Sequence, residues 1–343
     1  MELDKTSDIQ QIRIEESRKF FSATHDEIES GATTDIYFLR TRDILKKQGL
    51  LNTRVVADVF CRRGGFFCGS EEVRRLLAGR KIEMLALPDG ERYEAGATVM
   101  QFSGPYGEFG LYETVLLGMT ASATGWATAA AECVEAAAGS SVVCFGSRHI
   151  HPSVAPVMER AAMIGGVDGC SCILGALLAG VRPTGTIPHA AIMISGDTVK
   201  VARVFDEIME EEVPRIILVD TFKDEAEESL RVAEALREHL AAVRLDTPSE
   251  RGGVTPQLVA EVRKRLDVAG FNYVRIVVSG GLTPERIRIL KTAGADFFGV
   301  GSYISSAPPI EMTMDIKEIE GKAVAKRGRL PGPAPSPRLV KMI

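Results

Sequence analysis

The sequence predicts an α/β fold: a β/α barrel or near-barrel, with a separate α+β domain built from the N-terminal region and the C-terminal segment. Two textures carry that expectation. In the middle of the chain, short β-branched runs alternate with stretches of helical length, about six or seven times in roughly 200 residues, as parallel strands joined by crossover helices do. On either side, strand-like runs sit against Gly turns and need no crossover. A chain of 343 residues is long enough for two such domains. The expected division is residues 1–105 with 315–343 for the α+β domain and 106–314 for the barrel.

Taken in order, residues 5–22 carry a helical apolar period, broken near Ser30-Gly31. Asp35 to Gln48 (DIYFLRTRDILKKQ) reads as a helix stopped by Gly49. Arg54 to Phe60 is a strand, Arg62 to Gly65 a turn, and Ser70 to Ala78 a short helix with Ser70 as its N-cap. Lys81 to Val99 reads as two strands about the turn Pro88-Asp89-Gly90. The expected barrel strands are Val142–Phe145, the run Gly169–Gly180, Ala190–Ser195, Arg215–Asp220, Ala242–Asp246, Tyr273–Ser279 and Phe297–Val300. Helical segments fall between them. Lys317 to Arg329 reads as short strands about a Gly, returning to the first domain, and the Pro-rich tail after Leu330 as extended chain.

Composition narrows the class. An apolar fraction of 45% and a charged fraction of 25% are those of a folded enzyme, and a net charge of −5 argues against nucleic acid as a partner. The six cysteines form no C-x-x-C pair and no zinc spacing, which fits reduced thiols in the cytoplasm. The polar, acidic start predicts no secretory leader, and no apolar run is long enough to predict a membrane span.

In a barrel of this kind, chemistry sits where strands end. Ser279-Gly280-Gly281 and Gly299-Val300-Gly301-Ser302 end two successive late strands. Open backbone N–H groups followed by helix starts make such turns a cradle for phosphate, although βα turns also use glycine for shape alone. Asp220 and Asp246 are strand-end acceptors suited to sugar hydroxyls or a Mg²⁺-bound water, or else to a helix cap or an ion pair. Arg244 lies two residues before Asp246 and so points to the same side of a strand. Phe145 offers a stacking face for an aromatic ligand and Arg148 a fork for a carboxylate; a core Phe and a surface Arg would read the same. His149 and His151 would share a side if they lay on a strand. His189 suits acid/base work or phosphoryl transfer, and equally a structural role.

These pieces occur in a characteristic order. FGSRHIHP (145–152), GGVDGCSCILGA (165–176), GTIPHA (185–190), VDTF (219–222), VRLDT (243–247), VSGGL (278–282) and GVGS (299–302) follow ATTDIYF (32–38) and precede GKAVAKRGR (321–329). The chain resembles the nicotinate phosphoribosyltransferases, a family of type II phosphoribosyltransferases, over residues 30 to 330. The resemblance implies an incomplete barrel, a homodimer, and transfer of phosphoribose from 5-phosphoribosyl 1-pyrophosphate (PRPP) to nicotinate. It further implies Mg²⁺, and ATP as a co-substrate hydrolysed through a phosphohistidine. It implies His189 as that histidine, Phe145 beneath the pyridine ring, and Tyr37 of a second subunit above it. Arg148 would lie near the carboxylate and pyrophosphate, and Ser171 beside the ring. Asp220, Arg244 and Asp246 would surround ribose, pyrophosphate and metal, with Asp246 as the metal ligand. Ser279, Gly280, Gly281, Gly299, Gly301 and Ser302 would hold the 5-phosphate, with Lys326 and Arg327 in reach of phosphates. The chain departs from the family pattern at His149, Cys172 and Ala190. Enzymes using nicotinamide or quinolinate are rivals within the class, although the Arg-Lys-Thr run of the quinolinate enzymes is not found here. A non-catalytic nucleotide sensor is the rival outside it.

Overall fold

The computed structural model describes residues 2–343, which divide into two compact units. One comprises the chain up to Thr128 together with Pro308–Ile343; the other is Ala129–Ala307. The first boundary falls at Thr128, inside a single 25-residue helix, Glu113–Ala137, where the sequence division was drawn near residue 105.

In the first unit the expected helix over residues 5–22 shrinks to a 3₁₀ segment, Thr6–Gln11; the apolar residues beyond it, Ile12, Ile14, Phe20 and Phe21, stay exposed and find no face to pack on. Ile36–Gln48 is helical, and Gly49 closes it in the left-handed conformation (φ 72°) that the αL cap needs. The strands in order are β1 (Arg54–Cys61), β2 (Gly65–Phe66), β3 (Glu83–Ala86), β4 (Arg92–Tyr93) and β5 (Thr98–Pro105). Val55, Ala57, Val59 and Cys61 of β1 alternate into the core. The helix Ser70–Leu76 takes Gly69, not Ser70, as its N-cap. The Asp89 carboxylate accepts from the Gly69 and Ser70 N–H groups, so the residue read as a turn signal also closes a helix end. The runs flanking Pro88-Asp89-Gly90 do not pair with each other: β3 pairs with β5, and β4 with β2.

The second unit holds β6 (Ser141–Cys144), β7 (Gly169–Cys170), β8 (Arg215–Leu218), β9 (Leu240–Leu245), β10 (Arg275–Ser279) and β11 (Phe297–Val300). They form one parallel sheet in the order β7-β6-β11-β10-β9-β8. Its end strands, β7 and β8, are not bonded to each other, so the barrel is incomplete. The segment expected to be a further strand, Ala190–Ser195, lies within a helix, His189–Ser195. An apolar run this short satisfies either period, and no neighbouring strand claims it. Three strands follow: β12 (Met312–Ile319), β13 (Lys322–Ala323) and β14 (Val340–Lys341). They complete the antiparallel sheet of the first unit, in the order β13-β12-β1-β5-β3-β14. The Pro-rich tail is thus extended and ends as an edge strand. No helix among the described residues is long and apolar enough to cross a membrane.

Candidate functional site

Because all six strands of the second unit run the same way, their C-terminal ends share one edge, and there a cleft of about 610 Å³ opens. Phe145, Arg148, Ser171, Arg244, Asp246, Ser279, Gly280, Gly281, Gly299, Gly301 and Ser302 line it. So do Ser147, His149, Thr184 and Thr186, for which no role was expected.

Arg244 and Asp246 do share one side of β9. The Arg244 guanidinium gives one N–H to Asp246 Oδ2 (2.9 Å), one to Thr186 Oγ1 (2.7 Å) and Nε–H to Ser279 Oγ (2.9 Å). Ser279 in turn donates to Asp246 Oδ1 (2.9 Å). The same guanidinium carbon sits 5.3 Å from the centre of the Phe145 ring, so one face of that ring meets a cation. Arg148 is exposed and has no hydrogen bond or ion pair among the described residues, which leaves its fork free for a ligand anion.

The two glycine turns differ. Gly280 (φ 89°) and Gly281 (φ 60°) are truly left-handed, and their N–H groups have no backbone partner, as an anion cradle requires. The following helix, Pro284–Thr292, contributes less than expected, because Thr283 caps it and Pro284 has no N–H. At Gly299 a Cβ would stand 2.4 Å from a Phe145 ring carbon, so this glycine makes room for the aromatic platform. Gly301 likewise leaves space for His149.

His189 begins the helix His189–Ser195 instead of preceding a strand. Its Nδ1 lies 3.1 Å from Thr221 Oγ1, while Nε2 is 3.7 Å from Asp220 and 3.8 Å from Asp246, close enough for attraction but not for hydrogen bonds. The Asp220 side chain is fully buried and neither oxygen has a hydrogen-bond partner. Burial raises its carboxyl above the usual range, and the nearby His189 opposes that shift. A buried carboxylate without donors is costly unless a ligand satisfies it.

A second buried carboxylate lies behind two of the lining serines, and sequence reading missed it. Glu159, on the helix Ala155–Ile164, is fully buried. Its Oε1 accepts from Ser147 Oγ (2.5 Å) and Ser171 Oγ (3.0 Å), and its Oε2 from the Cys172 N–H (2.5 Å). The available signal was one charge at a helical position surrounded by Ala155, Met158, Ala161 and Ala162, all buried.

Other expected residues lie apart. Tyr37 is exposed in the first unit and does not line the cleft. Lys326 is paired with Asp315 there, also outside the cleft lining. His149 and His151 follow a 3₁₀ turn rather than a strand: His149 lines the cleft, and His151 bonds Ser153. No group of three His, Cys, Asp or Glu side chains among the described residues makes a metal site by itself.

Family models described as "Quinolinate phosphoribosyl transferase", N-terminal and C-terminal domains, match residues 35–124 and 126–315. A nicotinate phosphoribosyltransferase of Mycobacterium tuberculosis is 34% identical over 70% of this chain and 54% of its own length; the chain spans about half the length of the relatives with that name that it matches. The crystal structure of nicotinate-nucleotide pyrophosphorylase from Pyrococcus furiosus superposes with a TM-score of 0.88 at 48% identity, over 92% of this chain and 82% of that one. That of human nicotinic acid phosphoribosyltransferase shares the fold, with a TM-score of 0.68 at 20% identity, over 88% of this chain and 77% of that one. With both domain models matched in sequence order across an incomplete barrel whose strand ends form the cleft, the chain belongs to the quinolinate phosphoribosyl transferase family of type II phosphoribosyltransferases.

Proposed function

We propose that this chain makes nicotinate mononucleotide and pyrophosphate from nicotinate and PRPP in NAD biosynthesis, with ATP hydrolysis coupled through phosphorylation of His189. The carrying observation is the pairing, in one cleft, of an open anion cradle at Gly280-Gly281 with an aromatic platform at Phe145 and a free cation at Arg148. The cradle suits the 5-phosphate. The platform suits a flat ring, and Arg148 suits its carboxylate and the pyrophosphate. Departure of pyrophosphate from C1 of the ribose develops cationic character there, which Asp246 and Asp220 can face. The pyridine nitrogen attacks with its own lone pair, so no general base is required. In the ATP half-reaction, a His189 ring nitrogen bonds to the γ-phosphorus as the bond to ADP breaks; water later cleaves the phosphohistidine.

Mg²⁺ belongs to this reading. Asp220, with two unpartnered oxygens, and Asp246 are the side chains that would hold it, together with substrate phosphates and water. The ion would supply charge neutralisation for the leaving pyrophosphate. Since Asp246 already accepts from Arg244 and Ser279, Asp220 is the freer donor. Self-association also belongs to it. Ile173, Leu174, Leu177, Leu178, Met193 and Ile194 are exposed apolar side chains on two short helices and are suited to cover by a second copy.

A second reading is quinolinate as the substrate, favoured by the matching family models, whose description names that acid, and by the similarity to the Pyrococcus nicotinate-nucleotide pyrophosphorylase. The chain's Mycobacterium relative is named for nicotinate, and among the guanidinium groups lining the cleft only Arg148 is unpaired. The test supplies PRPP and Mg²⁺ with nicotinate, nicotinamide or quinolinate, with and without ATP. Product from nicotinate alone, stimulated by ATP, is expected, and His189→Ala should abolish the stimulation. Product from quinolinate with release of CO₂ would sink the nicotinate reading. ATP coupling that persists in His189→Ala would remove the phosphohistidine.

A further inference from the structure

Among the buried titratable groups, Glu159 is the one that the proposed reaction does not use although it touches two side chains of the cleft wall. A serine hydroxyl has one proton and two lone pairs. Ser147 and Ser171 both direct that proton to Glu159 Oε1, at 2.5 and 3.0 Å, and the Cys172 N–H occupies Oε2 at 2.5 Å. Glu159 is itself 0% exposed, so it cannot turn away to solvent. What the two serines still present to the cleft is lone pairs. The wall they form accepts hydrogen bonds and has no proton to give, and a buried carboxylate stands behind it. Arg148, also lining the cleft, is the opposite: a planar cation with donors only. The Cys170 thiol, raised to about 12 by burial and further by the neighbouring Glu159 charge, keeps its proton and turns it to Glu159.

Resting on the functional reading above, we infer that Glu159 is a positioning residue that sets ring-acid specificity by fixing Ser147 and Ser171 as acceptors. A pyridine with one carboxylate turns it to Arg148 and meets the serine wall with ring hydrogens. A pyridine with a second, adjacent carboxylate that meets the two serines brings an anion against their lone pairs, which is costly. The wall therefore selects monocarboxylates against dicarboxylates.

Glu159→Gln keeps the shape and inverts the polarity. The amide can accept from Cys172 and donate to the serine oxygens, which frees both hydroxyl protons to turn into the cleft. The measurement is kcat/KM for nicotinate and for quinolinate with PRPP, together with Kd for both acids by calorimetry, in the wild type and the variant. The expected result is a rise of about tenfold or more in the quinolinate-to-nicotinate ratio, carried mainly by KM and Kd. Loss of packing alone would lower both substrates together and leave the ratio in place. An unchanged ratio in a folded variant overturns the inference and leaves the functional reading standing. A wild type that prefers quinolinate overturns both. If Glu159→Gln does not fold, Ser171→Ala carries the test: a rise of about threefold in the same ratio is expected, and no rise overturns the inference.

Discussion

Two buried carboxylates flank the cleft, and they are treated in opposite ways. Glu159 has three donors on its two oxygens, whereas Asp220, equally buried, has none. A hydrogen-bonded carboxylate is a strut, since each donor that it holds is itself held. One left bare keeps a cost in the folded state that is removed only when something binds. The contrast separates the part of the site that is built to hold its own shape from the part built to be completed by a ligand.

The largest effect expected from breaking this contrast is at Glu159. Glu159→Ala orphans two hydroxyls and one N–H and leaves a cavity, and it should destabilise the protein by about 3 kcal/mol or more, read as a fall in melting temperature. Asp220→Asn should act the other way. It removes a buried charge that has no donors, so stability at neutral pH should rise, by about 1 kcal/mol, while phosphoribosyl transfer falls. The pH dependence follows from the direction of its shift. A carboxyl raised above its ordinary value favours the folded state fully below pH 3.8, and that contribution is lost as pH rises through the folded value. The wild type should therefore lose stability relative to Asp220→Asn as pH rises from about 4 toward neutrality, and parallel melting curves across that window would remove Asp220 from the account. The smallest effect is expected from Ser171→Ala. It takes one of three donors from Glu159 and should cost about 1 kcal/mol by denaturant titration, with the other two bonds intact. A loss as large as that of Glu159→Ala would mean that the carboxylate is not shared as described.

Sequence pattern was informative where a residue's position follows from strand periodicity. Arg244 and Asp246, two apart, meet side by side as a strand requires. Ser279, Gly280 and Gly281 fall at the end of β10, where a β-branched run stops. It failed where the deciding neighbour is distant. The space that Gly299 leaves for Phe145, far earlier in the chain, could not be read from the turn itself. His189 looks like a strand edge because HAAIMIS is too short to show its period, and only the sheet order denies it a partner. Glu159 belongs to a helix whose apolar face was visible, but its three donors come from two other strand ends.

The unclosed sheet has a consequence for how this site can be altered. Between Cys172 and Pro214 the chain forms helices and the loop that brings Pro183 to Pro188 beside the cleft, yet it contributes no rung to the ladder. Changes confined to the loop Pro183–Pro188 would remove none of the five pairings of the six-stranded sheet. The half-barrel thus keeps its scaffold and its rim under separate control, and the rim is the part open to redesign.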